Sequence, residues 1–213
     1  MADQAVRRPR LSADERRAAI VSAAVRLFAE KGFRGATTRE LAASVGVTEP
    51  VLYQHFATKG ELYTAILESI STISRQCPDE GLARAIESGD DRAFFTQLAN
   101  RLLGWYEDSP EVIRLLLFSA LEGHELSDIF FERQIVVYYE MLTDYIRKRM
   151  DDGVFRPMDA YLAARAFTGM ISHQGLSLAV FGCREISEKR WQVVELTVDV
   201  FLRGMTVSRS EPV

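Results

Sequence analysis

Three capping boxes within the first 61 residues constrain this chain more than any other sequence feature. In a capping box a Ser or Thr hydroxyl accepts a hydrogen bond from the amide three residues on, and a Glu side chain there bonds back to the amide of the capping residue. The chain carries such boxes at Ser12–Glu15, Thr37–Glu40 and Thr58–Glu61. Each box predicts the start of a helix, so the amino-terminal part must fold as a series of short helices.

Apolar spacing and glycine positions set the bounds of these helices. We predict helices at about residues 13–31, 38–45, 48–56 and 58–75. Gly32 and Gly46 end the first two, because glycine adopts the left-handed backbone that closes a helix. Thr48 caps the third helix, and Pro50 falls in its first turn, where a missing amide costs little.

The second and third predicted helices have the spacing of a helix-turn-helix. Ala42 is small enough for a close helix crossing, Gly46 suits the tight turn, and apolar Leu52 can pin the second helix to the first. An unrelated helical hairpin is the alternative. A helix of about two turns is unstable alone, so its free face can be given over to a surface such as the major groove of DNA.

The charge distribution indicates that only the amino-terminal part of the chain binds a polyanion. Residues 1–60 hold ten Lys and Arg against six Asp and Glu, whereas the remainder holds sixteen against twenty-four. Residues 1–11, with three Arg around Pro9, are either a solvated tail or a basic arm that touches phosphate or a minor groove.

Composition excludes several classes of protein. With 47% hydrophobic and 26% charged residues the chain is globular rather than disordered. We expect no signal peptide, no membrane helix and a cytoplasmic location, since no apolar run approaches about 18 residues. Cys77 and Cys183 lack metal-ligand spacing and suit a reducing compartment. No catalytic or cofactor motif accompanies the three histidines, so we expect neither an enzyme nor a cofactor.

The stretch AAVRLFAEKGFRGATTRELAASVGVTEPVLYQHFATKGELY resembles the amino-terminal domain of the tetracycline-repressor (TetR/AcrR-type) family of bacterial transcription regulators. The matching elements are Leu27-Phe28, Gly32-Phe33, Thr37-Thr38, Leu41-Ala42, Gly46-Val47, Leu52-Tyr53, His55-Phe56, Lys59 and Leu62. The resemblance implies an all-α fold of about nine helices, a homodimer on a palindromic operator, and a carboxy-terminal pocket whose small-molecule effector releases the DNA. A redox- or metal-responsive regulator with the same DNA-binding domain is the alternative, and an enzyme is a weaker one.

The resemblance, carried over by position, implies DNA contacts at Thr38, Thr48, Tyr53, Gln54, His55 and Lys59. Further candidates are Glu49, Pro50 and Val51 on the same helix and Arg39, which is either a phosphate contact or a solvated surface charge. Thr38, Thr48, Tyr53, His55 and Lys59 are expected at phosphate or sugar, and Gln54 can contact adenine in a bidentate manner. Glu49-Pro50 departs from the basic residue and glycine common in the family. Glu49 either accepts from a cytosine amino group or complements the helix amino terminus.

The rest of the chain shows helical periodicity without an assignable motif. We predict helices at about 91–107, 110–121, 125–151, 158–181 and 187–206. The predicted organisation is an arm (1–11), a DNA-binding domain (12–57) linked through helix 58–75, and a ligand-binding and dimerisation domain (76–213).

Two further sets of residues are candidates for binding. Aromatic and polar side chains on inward helix faces either form a pocket wall or simply fill the core. The pocket candidates are Trp105, Phe118, His124, Gln134, Tyr138, Met170 and His173. The last two predicted helices are apolar on more than one side, which the resemblance explains as a four-helix dimer interface. Its candidates are Phe167, Gln174, Leu178, Trp191, Val194, Val198 and Phe201.

Overall fold

The computed structural model describes residues 12–75 and 80–206 of the chain, and in this part the regular elements are helices. They are α1 (Ala13–Gly35), α2 (Thr38–Ser44), α3 (Glu49–His55), α4 (Lys59–Arg75), α5 (Glu80–Ser88), α6 (Asp91–Asp108), α7 (Pro110–Glu122), α8 (Glu125–Phe130), a π-helical turn (Phe131–Ile135), α9 (Val136–Asp151), α10 (Ala160–Phe181), α11 (Glu185–Glu188) and α12 (Arg190–Met205). The predicted arm at residues 1–11 and Cys77 lie outside the described residues.

The all-α prediction is confirmed, and the described helices outnumber the predicted ones for three reasons. The predicted helix at 125–151 is divided by the π-helical turn, and the last predicted helix breaks at Lys189 into α11 and α12. Helix α5 was not predicted, although Leu82, Ala85 and Ile86 recur in it at helical spacing and pack in one core.

The capping boxes form as predicted at α1 and α2. Both directions of the box are present at Ser12–Glu15 and at Thr37–Glu40. At the third box the Thr58 hydroxyl accepts from the Glu61 amide at 3.1 Å, but the Glu61 carboxylate accepts from the Ala57 amide at 2.9 Å. The box is therefore shifted by one residue on its Glu side, and α4 still begins where the sequence predicts.

Two large apolar cores, with a smaller cluster of Tyr106, Ile113 and Ala179 among α6, α7 and α10, hold the helices together. The first lies among α1, α2, α3 and α4 and also takes in Val112 and Leu115 of α7 and Leu126 of α8. The second lies among α5, α6, α9, α10 and α12, and Phe95 is at its centre, with ring centroids 4.8 Å from Phe167 and 4.9 Å from Phe201. Because the first core reaches into α7 and α8, the amino-terminal helices pack directly against the rest of the chain.

A half-buried ion pair joins the start of α6 to α9. The Arg149 guanidinium donates to both carboxylate oxygens of Asp91, at 2.8 and 3.0 Å, and the Tyr145 hydroxyl donates to the same carboxylate at 2.7 Å. Burial, followed by the bond to Asp91, raises the pKa of Tyr145 well above its usual range. A two-point Arg–carboxylate bond fixes orientation as well as distance, so it sets the register of α6 against α9.

We predict opposite effects for two glycine substitutions in α10. A Cβ on Gly175 would lie 2.3 Å from the ring of buried Tyr106, whereas a Cβ on Gly169 would have no atom within 4 Å. Gly175→Ala should lower the free energy of unfolding by about 1–3 kcal/mol through overpacking. Gly169→Ala should raise it by roughly 0.5–1 kcal/mol, since alanine loses less backbone entropy in a helix.

Urea unfolding of both variants, at several protein concentrations to separate folding from association, measures the difference. Equal effects of the two substitutions would mean that α6 and α10 do not approach this closely.

Candidate DNA-binding surface and effector cavity

The helix-turn-helix is built as its sequence spacing requires. Gly46 has a φ of +69°, and the Val47 amide donates to the Ala42 carbonyl at 3.0 Å, which closes the turn after α2. Ala42 and Leu52 are both only 2% exposed, so the two helices meet at these residues. The turn leaves α3 with one face in the first core and the other in solvent.

The outer face of α3 carries the residues predicted to meet DNA. Pro50, Tyr53 and Gln54 are exposed and follow helical spacing on the face opposite Leu52; the Tyr53 side chain is 45% exposed. Thr48 is the capping residue of α3, yet its side chain makes no cap hydrogen bond. Its hydroxyl is therefore available to a phosphate at the helix amino terminus.

A hydrogen bond between Thr38 and Glu49 changes two of the predicted roles. The Thr38 hydroxyl donates to a Glu49 carboxylate oxygen at 2.7 Å. Because a hydroxyl has one hydrogen, Thr38 cannot donate to a phosphate while it holds Glu49, and its phosphate contact stays a prediction that requires this bond to open. For Glu49 the structure shows a contact that neither alternative included. Its carboxylate joins α3 to α2 through the hydrogen bond from Thr38.

Arg17 of α1 holds the other end of α3, a role that was not predicted from the sequence. Its guanidinium donates to the His55 carbonyl at 2.5 Å and lies 4.1 Å from the centre of the Phe56 ring. A cation at a helix carboxy terminus satisfies free carbonyls and complements the helix dipole. No local sequence pattern signals a contact across 38 residues; the basic character of α1 is the one hint that the sequence gives.

The remaining predicted DNA contacts fall into two groups by exposure. Arg39 on α2 and Lys59 at the start of α4 are exposed. Val51 and His55 are half-buried on α3, and His55 is fixed through its backbone by Arg17. The surface thus has positive side chains on α2 and α4 and exposed polar side chains on α3.

The turn after Gly32 forms a junction between the amino-terminal helices and α7. Gly32 has φ +71° and interrupts α1, and the Glu122 carboxylate accepts the next two amides, from Phe33 at 3.0 Å and Arg34 at 3.1 Å. The His124 ring stacks on Phe33, with centroids 3.9 Å apart. We refer to Gly32–Arg34 together with Glu122 and His124 as the junction.

His124 belongs to this junction and not to a ligand pocket, so its predicted role is wrong. Its Nδ1 accepts from the Leu126 amide at 3.2 Å, which caps α8, and its ring meets the edge of Tyr63 at 4.5 Å. Burial lowers the pKa of His124; Glu125 and Glu122 act against that shift, and Lys59 adds to it. The fold therefore favours the neutral ring, whose Nδ1 can accept.

A cavity of about 760 Å³ lies among α6, the π-helical turn, α9 and α10, within the usual size range of small-molecule sites. Of the seven predicted pocket residues, Trp105, Gln134 and Tyr138 line it. The other wall residues include Leu98, Asn100, Arg101, Tyr106, Phe130, Ile135, Tyr139, Met141, Thr168, Ser172 and Arg190.

The other predicted pocket residues lie elsewhere. Phe118 packs beside Gly32 near the junction, Met170 packs against the second core, and His173 is exposed on α10. Each of these residues lies on a helix with an apolar face. The sequence periodicity does not show which neighbouring helix packs against that face.

Arg190, which the sequence analysis did not select, is a charged group in the cavity wall. Its guanidinium donates to the Asn100 carbonyl at 2.6 Å and pairs with Glu107. The pairing with Glu107 offsets the arginine charge at this end of the cavity.

Several exposed apolar side chains of the subunit lie on α10 and α12. Leu162 on α10 and Leu196 and Val200 on α12 are 60%, 65% and 54% exposed, and Trp191 is 65% exposed. Apolar side chains this exposed on adjacent helices are typical of an association surface. We refer to these four residues as the outer face.

Most of the predicted dimer residues do not lie on the outer face. Four are buried in the second core and cannot contact a partner, namely Phe167, Val194, Val198 and Phe201. Gln174 and Leu178 are half-buried, and Trp191 is exposed. The prediction took the core side of α12 for its outer side, because both sides are apolar.

The described part of the chain was also searched for a membrane-spanning helix and for a metal site. No helix within residues 12–75 and 80–206 has the length and apolarity to cross a membrane. Within the same residues, no three potential metal-ligand side chains come together, and Cys183 is an exposed free thiol.

Comparison with known proteins gives two family matches that together span most of the chain. Residues 20–66 match the model of bacterial regulatory proteins of the tetR family. Residues 95–204, about half of the chain, match the carboxy-terminal domain of AefR-like transcriptional repressors. The first match contains the helix-turn-helix, and the second contains the outer face and most of the cavity.

Individual relatives agree with these matches. The chain is 48% identical over 59 residues to the transcriptional activator FasR of Mycolicibacterium smegmatis, which is 28% of this chain and 27% of FasR. It is 30% identical over 142 residues to the nucleoid occlusion factor SlmA of Marinobacter nauticus, covering 66% of this chain and 69% of SlmA. The crystal structure of AibR with isovaleryl coenzyme A and operator DNA has the same fold, with a TM-score of 0.61 at 22% identity, over 87% of this chain and 97% of AibR. The chain therefore belongs to the TetR family of bacterial transcription regulators.

Proposed function

We propose that this chain is a cytoplasmic, homodimeric repressor that binds a palindromic operator and is released when a small molecule enters the cavity. The observation that carries the proposal is the division of α3 into two faces. Leu52 lies in the core, while Thr48, Tyr53 and Gln54 face solvent with polar groups. A two-turn helix fixed in this way suits the major groove, which admits an α-helix.

The DNA contacts divide by chemistry. Thr48, Tyr53 and Lys59 supply donors for phosphate, which positions the protein without specifying sequence. Gln54 is the side chain suited to a base edge, since its amide matches the donor and acceptor of adenine. Arg39 on the exposed side of α2 adds positive charge beside the groove.

The outer face of α10 and α12 supports a twofold dimer. Two copies that bury these faces form a four-helix bundle, a common symmetric arrangement. The dimer brings two α3 helices to one side, where half-sites roughly 34–36 Å apart fall in successive major grooves.

The route from cavity to DNA-binding surface is short. Phe130 and Gln134 line the cavity, and Phe130 is the last residue of α8, which His124 caps at its other end. His124 and Glu122 in turn hold the Phe33 segment of α1. An effector that moves the π-helical turn therefore moves α8 and the junction, and by reciprocity DNA binding weakens effector binding equally.

The proposal is tested by fluorescence anisotropy with the intergenic DNA next to the gene, at two salt concentrations. A specific repressor binds this DNA at least about a hundredfold more tightly than random DNA. Equal, steeply salt-dependent binding to both DNAs would leave only electrostatic attraction. Repression rather than activation is decided by transcription from the adjacent promoter with and without the protein.

We predict that Gln54→Ala relaxes the preference at one base pair of each half-site by about 1–3 kcal/mol, because the bidentate contact to adenine is lost. Tyr53→Phe should instead weaken binding to all sequences to a similar, modest degree, since a phosphate contact carries no sequence information. Selection from randomised DNA, followed by affinities for single-base variants, measures both. Unchanged relative affinities in Gln54→Ala would remove Gln54 from base recognition.

We predict that Leu196→Glu converts the dimer to a monomer and abolishes tight operator binding, because each subunit would bring an unpaired carboxylate into the apolar interface. Leu121→Glu is the matched control, since Leu121 is 84% exposed but lies at the end of α7. Sedimentation velocity gives the oligomeric state. A dimer in Leu196→Glu, or a monomer in Leu121→Glu, would place the interface elsewhere.

We predict that the junction weakens in acid because the folded protein lowers the pKa of His124. A group whose folded pKa is lowered binds fewer protons than in the unfolded chain. Its contribution to stability is therefore complete above the unfolded value of about 6.5 and is lost as the pH falls below it. Protonation also removes the Nδ1 acceptor of the Leu126 amide.

His124→Asn is the informative variant, because asparagine caps a helix but does not titrate. Urea unfolding at pH values from 7.5 to about 5.5 should show a smaller loss of stability for His124→Asn than for the wild type. Parallel curves for the two proteins would show that His124 is not linked to stability in this range.

A further inference from the structure

Tyr138 combines burial with an unused hydrogen-bonding group. It projects from α9 into the wall of the cavity, and its hydroxyl oxygen is inaccessible to solvent, with no hydrogen-bond partner among the described residues. A buried polar group without a partner is unfavourable and rare in folded proteins. An acceptor in the cavity would complete this arrangement after a small movement of the ring that uncovers the oxygen.

The hydroxyl is available as a donor. Burial raises the pKa of Tyr138 to about 12, so the oxygen keeps its hydrogen at neutral pH. Thr168 also lines the cavity, but its own hydroxyl hydrogen is donated to the Ala164 carbonyl at 2.9 Å. The Thr168 hydroxyl interacts weakly with Tyr138, because it acts against the rise in the tyrosine pKa without forming a hydrogen bond. A ligand acceptor would have to replace this contact.

The charges in the wall offset one another. Arg190 is paired with Glu107 and bonded to Asn100, so its charge is neutralised within the protein. Among the described residues, the other charged members of the wall are Arg101 and Asp108, one of each sign. A wall without a surplus of either charge gives no advantage to an ionic ligand, which would lose its hydration on entry.

The remaining wall is largely aromatic. The rings of Trp105 and Phe130 are nearly parallel, with centroids 5.9 Å apart, and Tyr106 meets Trp105 at 5.5 Å. Tyr139 also lines the cavity. Flat rings favour contact with other flat rings, through offset or edge-to-face packing.

We propose that the effector is an uncharged, ring-containing molecule with a hydrogen-bond acceptor, such as an aromatic ketone, and that the acceptor takes the hydrogen of the Tyr138 hydroxyl. The inference rests on the proposed effector cavity and specifies its chemistry. Tyr138 is then a specificity residue, because it distinguishes molecules of one shape by the presence of an acceptor.

Three probes of similar shape test this chemistry by displacing the uncharged dye N-phenyl-1-naphthylamine from the full-length protein. They are 2-acetylnaphthalene with a carbonyl acceptor, 2-ethylnaphthalene without one, and anionic 2-naphthoate. The ketone should bind about tenfold more tightly than the hydrocarbon, which is the worth of one buried hydrogen bond. The naphthoate should bind more weakly than the ketone.

The variants separate a specific contact from a structural one. Tyr138→Phe should reduce ketone affinity to that of the hydrocarbon and leave hydrocarbon affinity within about twofold. Tyr139→Phe is the matched control, a neighbouring wall tyrosine that should keep the ketone preference. Equal losses for ketone and hydrocarbon in Tyr138→Phe, or tighter binding of naphthoate than of ketone by the wild type, would overturn the inference.

Operator binding by the same preparations distinguishes the two levels of the proposal. If the wild type binds its operator but no probe displaces the dye, or the dye itself does not bind, the inference on the effector fails and DNA binding stands. If operator binding is also absent, the proposed function fails with it.

Discussion

The contact between Glu122 and the turn after Gly32 is the interaction on which the rest of the molecule depends. The positive φ of Gly32 exposes two successive amides, of Phe33 and Arg34, and a single carboxylate oxygen accepts both. Two converging amides at the start of a helical turn form a site for an anion. The space beside Gly32 is filled by that carboxylate, since a Cβ there would lie 2.3 Å from it. A side chain at position 32 is therefore incompatible with this contact.

Helix α3 is held from three directions because a helix of two turns is unstable alone. Leu52 anchors it in the first core, Arg17 binds its carboxy-terminal carbonyl, and Thr38 binds Glu49 at its first turn. Each contact reaches a different element, namely the core, α1 and α2. Since α1 is itself fixed at the junction, the position of α3 follows from the position of α7.

The sequence predicts local features of this molecule well and neighbour relations poorly. Capping residues, glycine turns and the spacing around Gly46 act over three to six residues, so they appear in the sequence and give helix bounds close to the observed ones. The side of a helix that meets the core is a property of its neighbours. Val198 and Val200 illustrate this, because both are apolar residues of α12, yet one is buried and the other is exposed.

The same dependence on neighbouring helices explains why only some of the predicted pocket residues line the cavity. His124 and Tyr138 are both polar aromatic residues in apolar stretches of the sequence, so both were predicted to line one pocket. The fold separates them by α8 and the π-helical turn, so that one holds the junction and the other lines the cavity. No spacing rule predicts the π-helical turn, because its extra residue per turn is a local accommodation to packing.

The π-helical turn and α8 connect the wall of the cavity to the junction. Helix α8 has six residues and spans about 9 Å, so it is a short, rigid connection between Phe130 and His124. A π-helical turn contains one residue more than the α-helical turn that could replace it. Gln134 and Ile135 of this turn line the cavity. A molecule that displaced them would change the packing of the turn, and a change between the two turn types would rotate α8 by about one residue. The stacked His124 ring and the Phe33 segment would then have to move with α8, which links cavity packing to the orientation of α1 and of the recognition helix.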